Sequence, residues 1–140
     1  MDIFNYNSMA WDQEVKRESP WTLPVSTEEV DRARQGEFKI ILTPTKPVPK
    51  SWLGDVRNKN VLCLASGGGQ QAPLLAAAGG NVVVLDASIE QLKRDEFVAT
   101  RDQLKLQTTL GDMRDLSMFQ NEEFDLIIHP VSNCFVPDVL

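Results

Sequence analysis

A short apolar run followed at once by three glycines is the feature that most constrains this chain. Residues 61–71 read VLCLASGGGQQ, so a stretch suited to a buried strand runs directly into Gly67, Gly68 and Gly69. Glycine tolerates positive φ and lets another group approach the backbone, because it has no Cβ. Residues 70–79 then have a helix-forming composition. We therefore predict a strand, a tight glycine turn and a helix, in that order.

The residues after this turn alternate between strand-like and helix-like segments. A valine-rich run at 81–87 predicts a second strand, and 88–103 predicts a helix that Ser88 caps at its N-terminus. Apolar stretches at 106–112 and 124–131 predict two more strands. Strands that alternate with helices form parallel sheets with right-handed crossovers. The predicted fold class is α/β, a Rossmann-like doubly wound and mainly parallel sheet.

The first 57 residues differ from the rest and predict a helical, Pro-rich cap. They contain all three tryptophans and most of the prolines. We predict one helix that begins with Ser8 as N-cap and a second that Ser26 or Thr27 caps. A short strand is predicted at 38–42. The domain that follows the cap spans residues 58–140.

Composition excludes several classes of function. The net charge of −6 argues against a general nucleic-acid binder, which needs a basic surface. No apolar run approaches the roughly 20 residues that span a bilayer, and the N-terminus lacks the pattern of a signal peptide, so we expect no membrane partner and a cytoplasmic location. One histidine and two cysteines provide no zinc spacing. Cys63 lies in an apolar run, which predicts a buried thiol rather than a disulfide.

Acidic residues follow the second and third predicted strands. Asp86 ends one strand, where a carboxylate can accept hydrogen bonds from both hydroxyls of a ribose. Asp112 and Met113 end the next, and an acid beside an apolar side chain suits an adenine. A helix N-terminus after the glycines favours an anion. Two ligand classes fit this pattern, a dinucleotide such as NAD and S-adenosylmethionine.

From about residue 58 onward the sequence resembles the class I S-adenosylmethionine-dependent methyltransferases of the type 11-like group. VLCLASGGG is similar to the first motif of that family, LDAS with IEQL to the second, LGDMRDL to the adenine-binding motif, and FDLIIHPVSNCF to the fourth-strand segment. The resemblance implies S-adenosyl-L-methionine as cofactor and methyl transfer to an unidentified small-molecule acceptor. It implies no particular catalytic residue. The cofactor-binding residues that it implies are Ala65, Ser66, Gly67, Gly68, Gly69, Asp86, Ala87, Asp112, Met113 and His129.

The sequence also departs from the family pattern. Cys63 stands where the family has an acid, and Ala65 where it has a glycine. The resemblance implies a sheet of seven strands in the order 3-2-1-4-5-7-6, of which this chain supplies four. We therefore expect a truncated domain whose fourth strand is an exposed edge, open to association between copies. A non-catalytic, self-associating fragment that binds adenosyl ligands and an NAD-dependent oxidoreductase remain the alternative functions.

Several single residues have a structural as well as a functional interpretation. Asp86 could cap the following helix instead of binding a ribose. His129 is the only histidine, and it could act as a general base or be purely structural. Trp11 and Trp21 could cover the cofactor as part of a lid or form the core of the cap.

Overall fold

A single parallel sheet organises the molecule. The computed structural model describes residues 2–43 and 45–137. Within them, four parallel strands lie in the order β3-β2-β1-β4, as the predicted fold class requires. The strands predicted at 81–87, 106–112 and 124–131 are each shorter in the structure. The bounds of the four strands are β1 (Asn60–Leu64), β2 (Asn81–Asp86), β3 (Leu106–Leu110) and β4 (Leu126–Ile128).

The two central strands are buried because their sequences are almost continuously apolar. In β1, Leu62 pairs with Val83 and Cys63 with Val84 of β2. A strand covered on both faces reads as such a run rather than as an alternation, and its Val residues fit the pleated backbone. The thiol of Cys63 is fully buried and free, as predicted. Between β1 and β2 the chain passes through one helix, so that β2 lies beside β1 and parallel to it.

Five α-helices accompany the sheet in the described part of the chain. None of them is long and apolar enough to cross a membrane. Ser88 accepts a hydrogen bond from the Gln91 N–H at the start of the last helix, which confirms the predicted cap. The bounds are α1 (Ile3–Lys16), α2 (Thr27–Arg34), α3 (Lys50–Leu53), α4 (Gln71–Ala77) and α5 (Ile89–Arg101).

The N-terminal segment shows where local signals mislead. The predicted N-cap at Ser8 is wrong, because α1 begins earlier with Asp2, whose carboxylate accepts from the Asn5 N–H. The predicted cap at Ser26 is confirmed, since Ser26 and Glu29 form a reciprocal capping box. The predicted strand at 38–42 is wrong. Among the described residues this segment forms one isolated bridge, from Ile41 to Pro47, and the prolines after residue 43 cannot supply the donors of a strand ladder.

One hydrophobic core joins the N-terminal segment to the sheet. Ile40, Leu53 and Val56 are buried in the same cluster as Val84 of β2 and Leu75 of α4. Thr27 Oγ1 also donates to the Asp102 carboxylate at the end of α5, over 2.8 Å. The predicted cap therefore packs directly on the sheet and its helices. Its boundary at residue 57 stays a prediction.

Candidate functional site

The glycine turn lies at the carboxyl-terminal edge of β1 and has the strained backbone that its composition predicts. Gly68 and Gly69 have φ of 109° and 74°, and Ala65 has φ of 49°. A side chain at position 69 would meet the Pro24 Cβ at 2.8 Å and the Arg94 carbonyl oxygen at 2.9 Å. Only glycine fits there, because the turn lies against α5 on one side and the segment before α2 on the other.

Three consecutive amides of the turn donate hydrogen bonds to two buried carboxylates of the chain itself. The Gly67 N–H donates to Asp86 over 2.9 Å. The N–H groups of Gly68 and Gly69 donate to the two oxygens of Asp95, over 3.2 and 3.1 Å. Successive N–H groups of this kind form a nest that ordinarily binds an anion. Here an internal carboxylate already fills the nest.

This geometry bears on the prediction that the glycine turn and the helix N-terminus after it favour an anion. All three amides already have an acceptor within the protein. The following helix, α4, has only seven residues, and its N-cap Gln70 makes no side-chain capping bond. Gln70 instead donates to the carbonyl oxygens of Pro20 and Leu23, which ties the turn to the N-terminal segment. The turn therefore shapes the site but does not offer it an anion cradle.

Sequence reasoning missed Asp95, which is completely buried on α5. Burial raises the pKa of Asp95 well above its ordinary value, and the nearby Asp86 carboxylate raises it further, while the two glycine amides oppose the shift. A signal was present in the sequence. Asp95 lies between Leu92 and Val98 at a spacing of three residues, so an acid occupies the face of α5 that otherwise packs on the core.

Asp86 stands where the sequence predicted, at the end of β2, and is nearly buried. Besides the Gly67 amide, its carboxylate accepts from the Ser88 N–H over 2.9 Å. Burial raises the pKa of Asp86, and the backbone N–H groups oppose that effect. The cap of α5 is Ser88 and not Asp86, so the capping interpretation is wrong, and ribose binding by Asp86 stays a prediction. Asp86 bonds the turn into α5, and it also lines the cavity at the strand ends.

A cavity of about 820 Å³ opens at the carboxyl-terminal edge of the sheet. This volume lies in the upper part of the range of about 300–1,000 Å³ that is usual for small-molecule sites. The predicted residues Gly68, Gly69 and His129 do not line it. Those that do are Ala65, Ser66, Gly67, Asp86, Ala87, Asp112 and Met113.

Asp112 and Met113 follow β3 in a turn at one wall of the cavity. The Arg114 guanidinium pairs with Asp112 at 2.6 Å and lowers the pKa of that carboxyl. Asp112 also accepts from the Arg114 N–H, so it stabilises a turn. Residues 113–119 form turns and not a helix, so Asp112 caps no helix there. Met113 packs against the apolar cluster that contains Leu85.

His129 lies apart from this group of residues. Its side chain is partly buried, and burial lowers its pKa. The Nε2 atom is buried without a hydrogen-bond partner, and the residue does not line the cavity. Neighbouring Pro130, Val131 and Ser132 do line it. The fourth strand therefore contributes to the cavity through the residues that follow His129.

Helix α1 covers one side of the cavity, and we call the apolar wall formed by the N-terminal segment and the residues after β4 the roof. Asp12 accepts from the Ser88 hydroxyl at 2.5 Å and from the Glu90 N–H at 3.3 Å, so α1 is fastened to the start of α5. At its other side, the Trp11 ring meets Phe135 edge-on, with centroids 5.6 Å apart. Trp11 and Trp21 both line the cavity, which favours the lid interpretation over a place in the core of the cap.

Replacing a glycine of the turn should lower the free energy of unfolding more than replacing a glycine that has open space around its Cα. We expect Gly36→Ala to destabilise the fold by about 1–2 kcal/mol, because its φ of 82° is strained for alanine but no atom lies within 4 Å of the new Cβ. Gly69→Ala, at φ of 74°, should cost about 1–3 kcal/mol more, because its Cβ overlaps backbone. Urea denaturation measures both values. Equal costs would contradict this account of the turn.

The burial of Asp95 predicts a pH-dependent difference in stability between the wild type and Asp95→Asn. The folded state binds the Asp95 proton more tightly than the unfolded chain, because its pKa is raised from 3.8. Stability from this group is thus complete below pH 3.8 and is lost as pH rises through the raised value. The neutral variant should therefore gain on the wild type with rising pH. Thermal melting without ligand between about pH 4 and pH 8 tests this, and a constant difference would contradict it.

No group of three or more histidine, cysteine or acidic residues in the described ranges is placed to bind a metal ion. The candidate site is the cavity at the carboxyl-terminal edge of the sheet. Its polar wall is made by the ends of the first three strands, and its apolar roof by the N-terminal segment and the residues after β4.

Comparison with known proteins gives consistent matches. A methyltransferase domain matches residues 62–140. The chain is 50% identical over 135 residues to the uncharacterized methyltransferase YbaJ of Bacillus subtilis (strain 168), and this alignment covers 96% of the chain. The chain spans 53% of YbaJ, so it corresponds to about half of that relative.

Two solved structures match the chain, and the first is similar to it in fold. One comes from work on the conversion of a disulfide bond into a thioacetal group during echinomycin biosynthesis. It has a TM-score of 0.56 and 21% identity, and covers 87% of this chain and 47% of its own. The other is an S-adenosylmethionine-dependent methyltransferase from Clostridium acetobutylicum ATCC 824, with a TM-score of 0.48 and 21% identity, covering 89% and 43%. The sheet order and the match over residues 62–140 agree with the predicted fold, and the chain belongs to the methyltransferase family.

Proposed function

We propose that this chain binds S-adenosyl-L-methionine and belongs to an enzyme that transfers its methyl group to a small-molecule acceptor. The observation that carries the proposal is the cavity at the carboxyl-terminal edge of the sheet. There the Asp86 and Asp112 carboxylates stand at the ends of neighbouring strands, beside the glycine turn. Open α/β sheets bind their ligands at this edge.

The chemistry of the lining fits this cofactor better than NAD. A dinucleotide places its pyrophosphate on the N–H groups of a glycine turn and on a helix N-terminus. In this chain those amides already donate to Asp86 and Asp95, so the turn keeps no free N–H group for a pyrophosphate. S-adenosylmethionine has no pyrophosphate, so it does not need such free N–H groups. The oxidoreductase alternative has no comparable support.

Each part of the polar wall has a role in this proposal. Every oxygen of Asp86 accepts one backbone N–H, and each has a second lone pair that a ribose hydroxyl can use. Asp112 and Met113 would contact the adenine, through hydrogen bonding and packing. The bound cofactor would supply an activated methyl group on a good leaving group. The chain then needs chiefly to hold the two reactants close and aligned.

The roof supports an acceptor of small-molecule size. Its side chains include Phe4, Trp11, Trp21 and Phe135, so much of this wall is aromatic. Aromatic and apolar walls with few polar groups are typical of sites for organic molecules. For the acceptor, we propose only that it is a small organic molecule. The predicted cytoplasmic location also belongs to the proposal, and the free thiols of Cys63 and Cys134 are consistent with a reducing compartment.

Calorimetric titration with S-adenosylhomocysteine tests the cofactor assignment without knowledge of the acceptor. The wild type should bind this ligand and should not bind NAD. Asp86→Asn should weaken binding by about tenfold or more, because it removes the charge that strengthens the ribose contacts. Asp125→Asn is the matched control, since Asp125 accepts from the Asn60 N–H at the opposite edge of the sheet.

Each outcome of this titration has a definite meaning. Binding by the wild type and by Asp125→Asn, together with weak binding by Asp86→Asn, supports the proposed site. A folded wild type that binds no S-adenosylhomocysteine overturns the proposal, and binding of NAD alone restores the oxidoreductase alternative. Equal affinity in all three proteins would show that the ligand binds elsewhere.

We further propose that two copies of this chain associate through β4. In the described sheet β4 is an edge strand, and Ile127 on it is 53% exposed. Exposed apolar edge strands are templates for pairing with another chain. The non-catalytic alternative function depends on this association.

Sedimentation velocity tests this association. We expect the wild type to sediment as a dimer and Ile127→Lys as a monomer, because a buried lysine at the contact has no partner. Leu110→Lys is the control, since Leu110 is 55% exposed on the opposite edge strand and should leave the dimer intact. A monomeric wild type, or equal behaviour of the two variants, would contradict the proposal.

A further inference from the structure

Asp95 holds the glycine turn from beneath without reaching the cavity. Both of its oxygens are engaged, one by the Gly68 N–H and one by the Gly69 N–H. The side chain is completely buried, and Asp95 is not among the residues that line the cavity. Its contacts are thus with the turn that shapes the site, and any ligand in the cavity lies on the other side of that turn.

The turn is fixed from several directions, and Asp95 is the central support. The Gly68 N–H is shared, because it also donates to the Gln91 carbonyl oxygen at 3.1 Å, and the Gly69 carbonyl accepts from the Val25 N–H at 2.8 Å. Gln91 and Val25 each make a single bond to the turn. Asp95 alone accepts from two consecutive amides, at the two residues whose positive φ makes the turn sharp. Loss of this carboxylate would free the middle of the turn to relax.

An aspartate at this buried position is energetically unfavourable. It is buried and forms no ion pair within the described ranges, and the nearest acids, Asp86 and Glu96, add repulsion. A carboxylate in such a place costs stability unless its hydrogen bonds compensate. An apolar side chain would suit the neighbouring Leu92 and Val98 better. This unfavourable carboxylate nevertheless lies where the Gly68 and Gly69 N–H groups need a hydrogen-bond acceptor.

We propose that Asp95 is a positioning residue for the cofactor, which sets the turn so that Ala65 to Gly67 form the wall on which the cofactor lies. This inference rests on the proposed function. Asp95 acts through the turn and does not touch the ligand. By filling the nest of amides it also keeps that nest closed to the phosphate groups of other nucleotides.

Asp95→Asn tests the inference, with Asp102→Asn as the matched control. Asp102 is also a nearly buried aspartate of the α5 region, but it bonds Thr27 and Arg101 and does not line the cavity. In Asp95→Asn an amide NH₂ group faces one of the glycine donors. We expect the Kd for S-adenosylhomocysteine to rise by at least about tenfold in Asp95→Asn and to stay within about twofold in Asp102→Asn. Asp102→Asn should instead lower the Tm.

A higher Kd in Asp95→Asn and an unchanged Kd in the destabilised Asp102→Asn would show that the loss of affinity is not caused by a loss of stability. Titrations are made well below the Tm of each protein, with near-ultraviolet circular dichroism to confirm the fold. A folded Asp95→Asn with wild-type Kd overturns the inference and leaves the proposed function intact. Absence of binding by the wild type overturns the proposed function itself.

Amide hydrogen exchange in the wild type covers the case in which Asp95→Asn does not fold. The N–H groups of Gly68 and Gly69 should exchange with the slowest amides of β1 even without ligand, because a buried acceptor holds each of them. The Gly36 amide, which donates to the Ala33 carbonyl oxygen in an exposed turn, serves as a reference that exchanges faster than a buried amide. Rapid exchange of the Gly68 and Gly69 amides in the free protein would overturn the inference.

Discussion

The hydrogen bonds from three successive glycine-turn amides to two buried aspartates are the constraint on which the rest of this site depends. They join three elements at one point, since Asp86 ends β2, Asp95 lies on α5, and the amides follow β1. A sharp turn with positive φ is costly unless its surroundings determine it fully. The two carboxylates meet that requirement, and the cavity wall at the strand ends follows from the shape that they impose.

The same bonds decide what kind of ligand suits the cavity. A glycine turn before a helix is usually considered an anion site, but that inference assumes free amides. When the chain supplies its own acceptors, the turn keeps no free N–H group for a pyrophosphate. The match of residues 62–140 to a methyltransferase domain, found independently of this geometry, is consistent with that conclusion.

The N-terminal segment contributes as much to the cavity as the sheet does. Asp12 fastens α1 to the start of α5, and Gln70 fastens the glycine turn to the segment around Pro20. Thr27 reaches Asp102 at the far end of α5. These polar contacts lie around the apolar roof, so the roof is positioned by hydrogen bonds at its edges and not only by burial. The site is therefore built from both halves of the chain.

The sequence by itself determined the elements whose signals are local. The apolar runs of β1 and β2, the caps at Ser26 and Ser88 and the placement of Asp86 at a strand end were all predictable, because strand burial and helix capping depend on neighbouring residues. The tertiary structure decided what depends on contacts distant in sequence. Asp95 acquired its partners 26 and 27 residues away, residues 38–42 formed no strand beside their prolines, and His129 was excluded from the cavity. The sequence shows that the turn has N–H donors, but only tertiary packing determines which acceptors they bond.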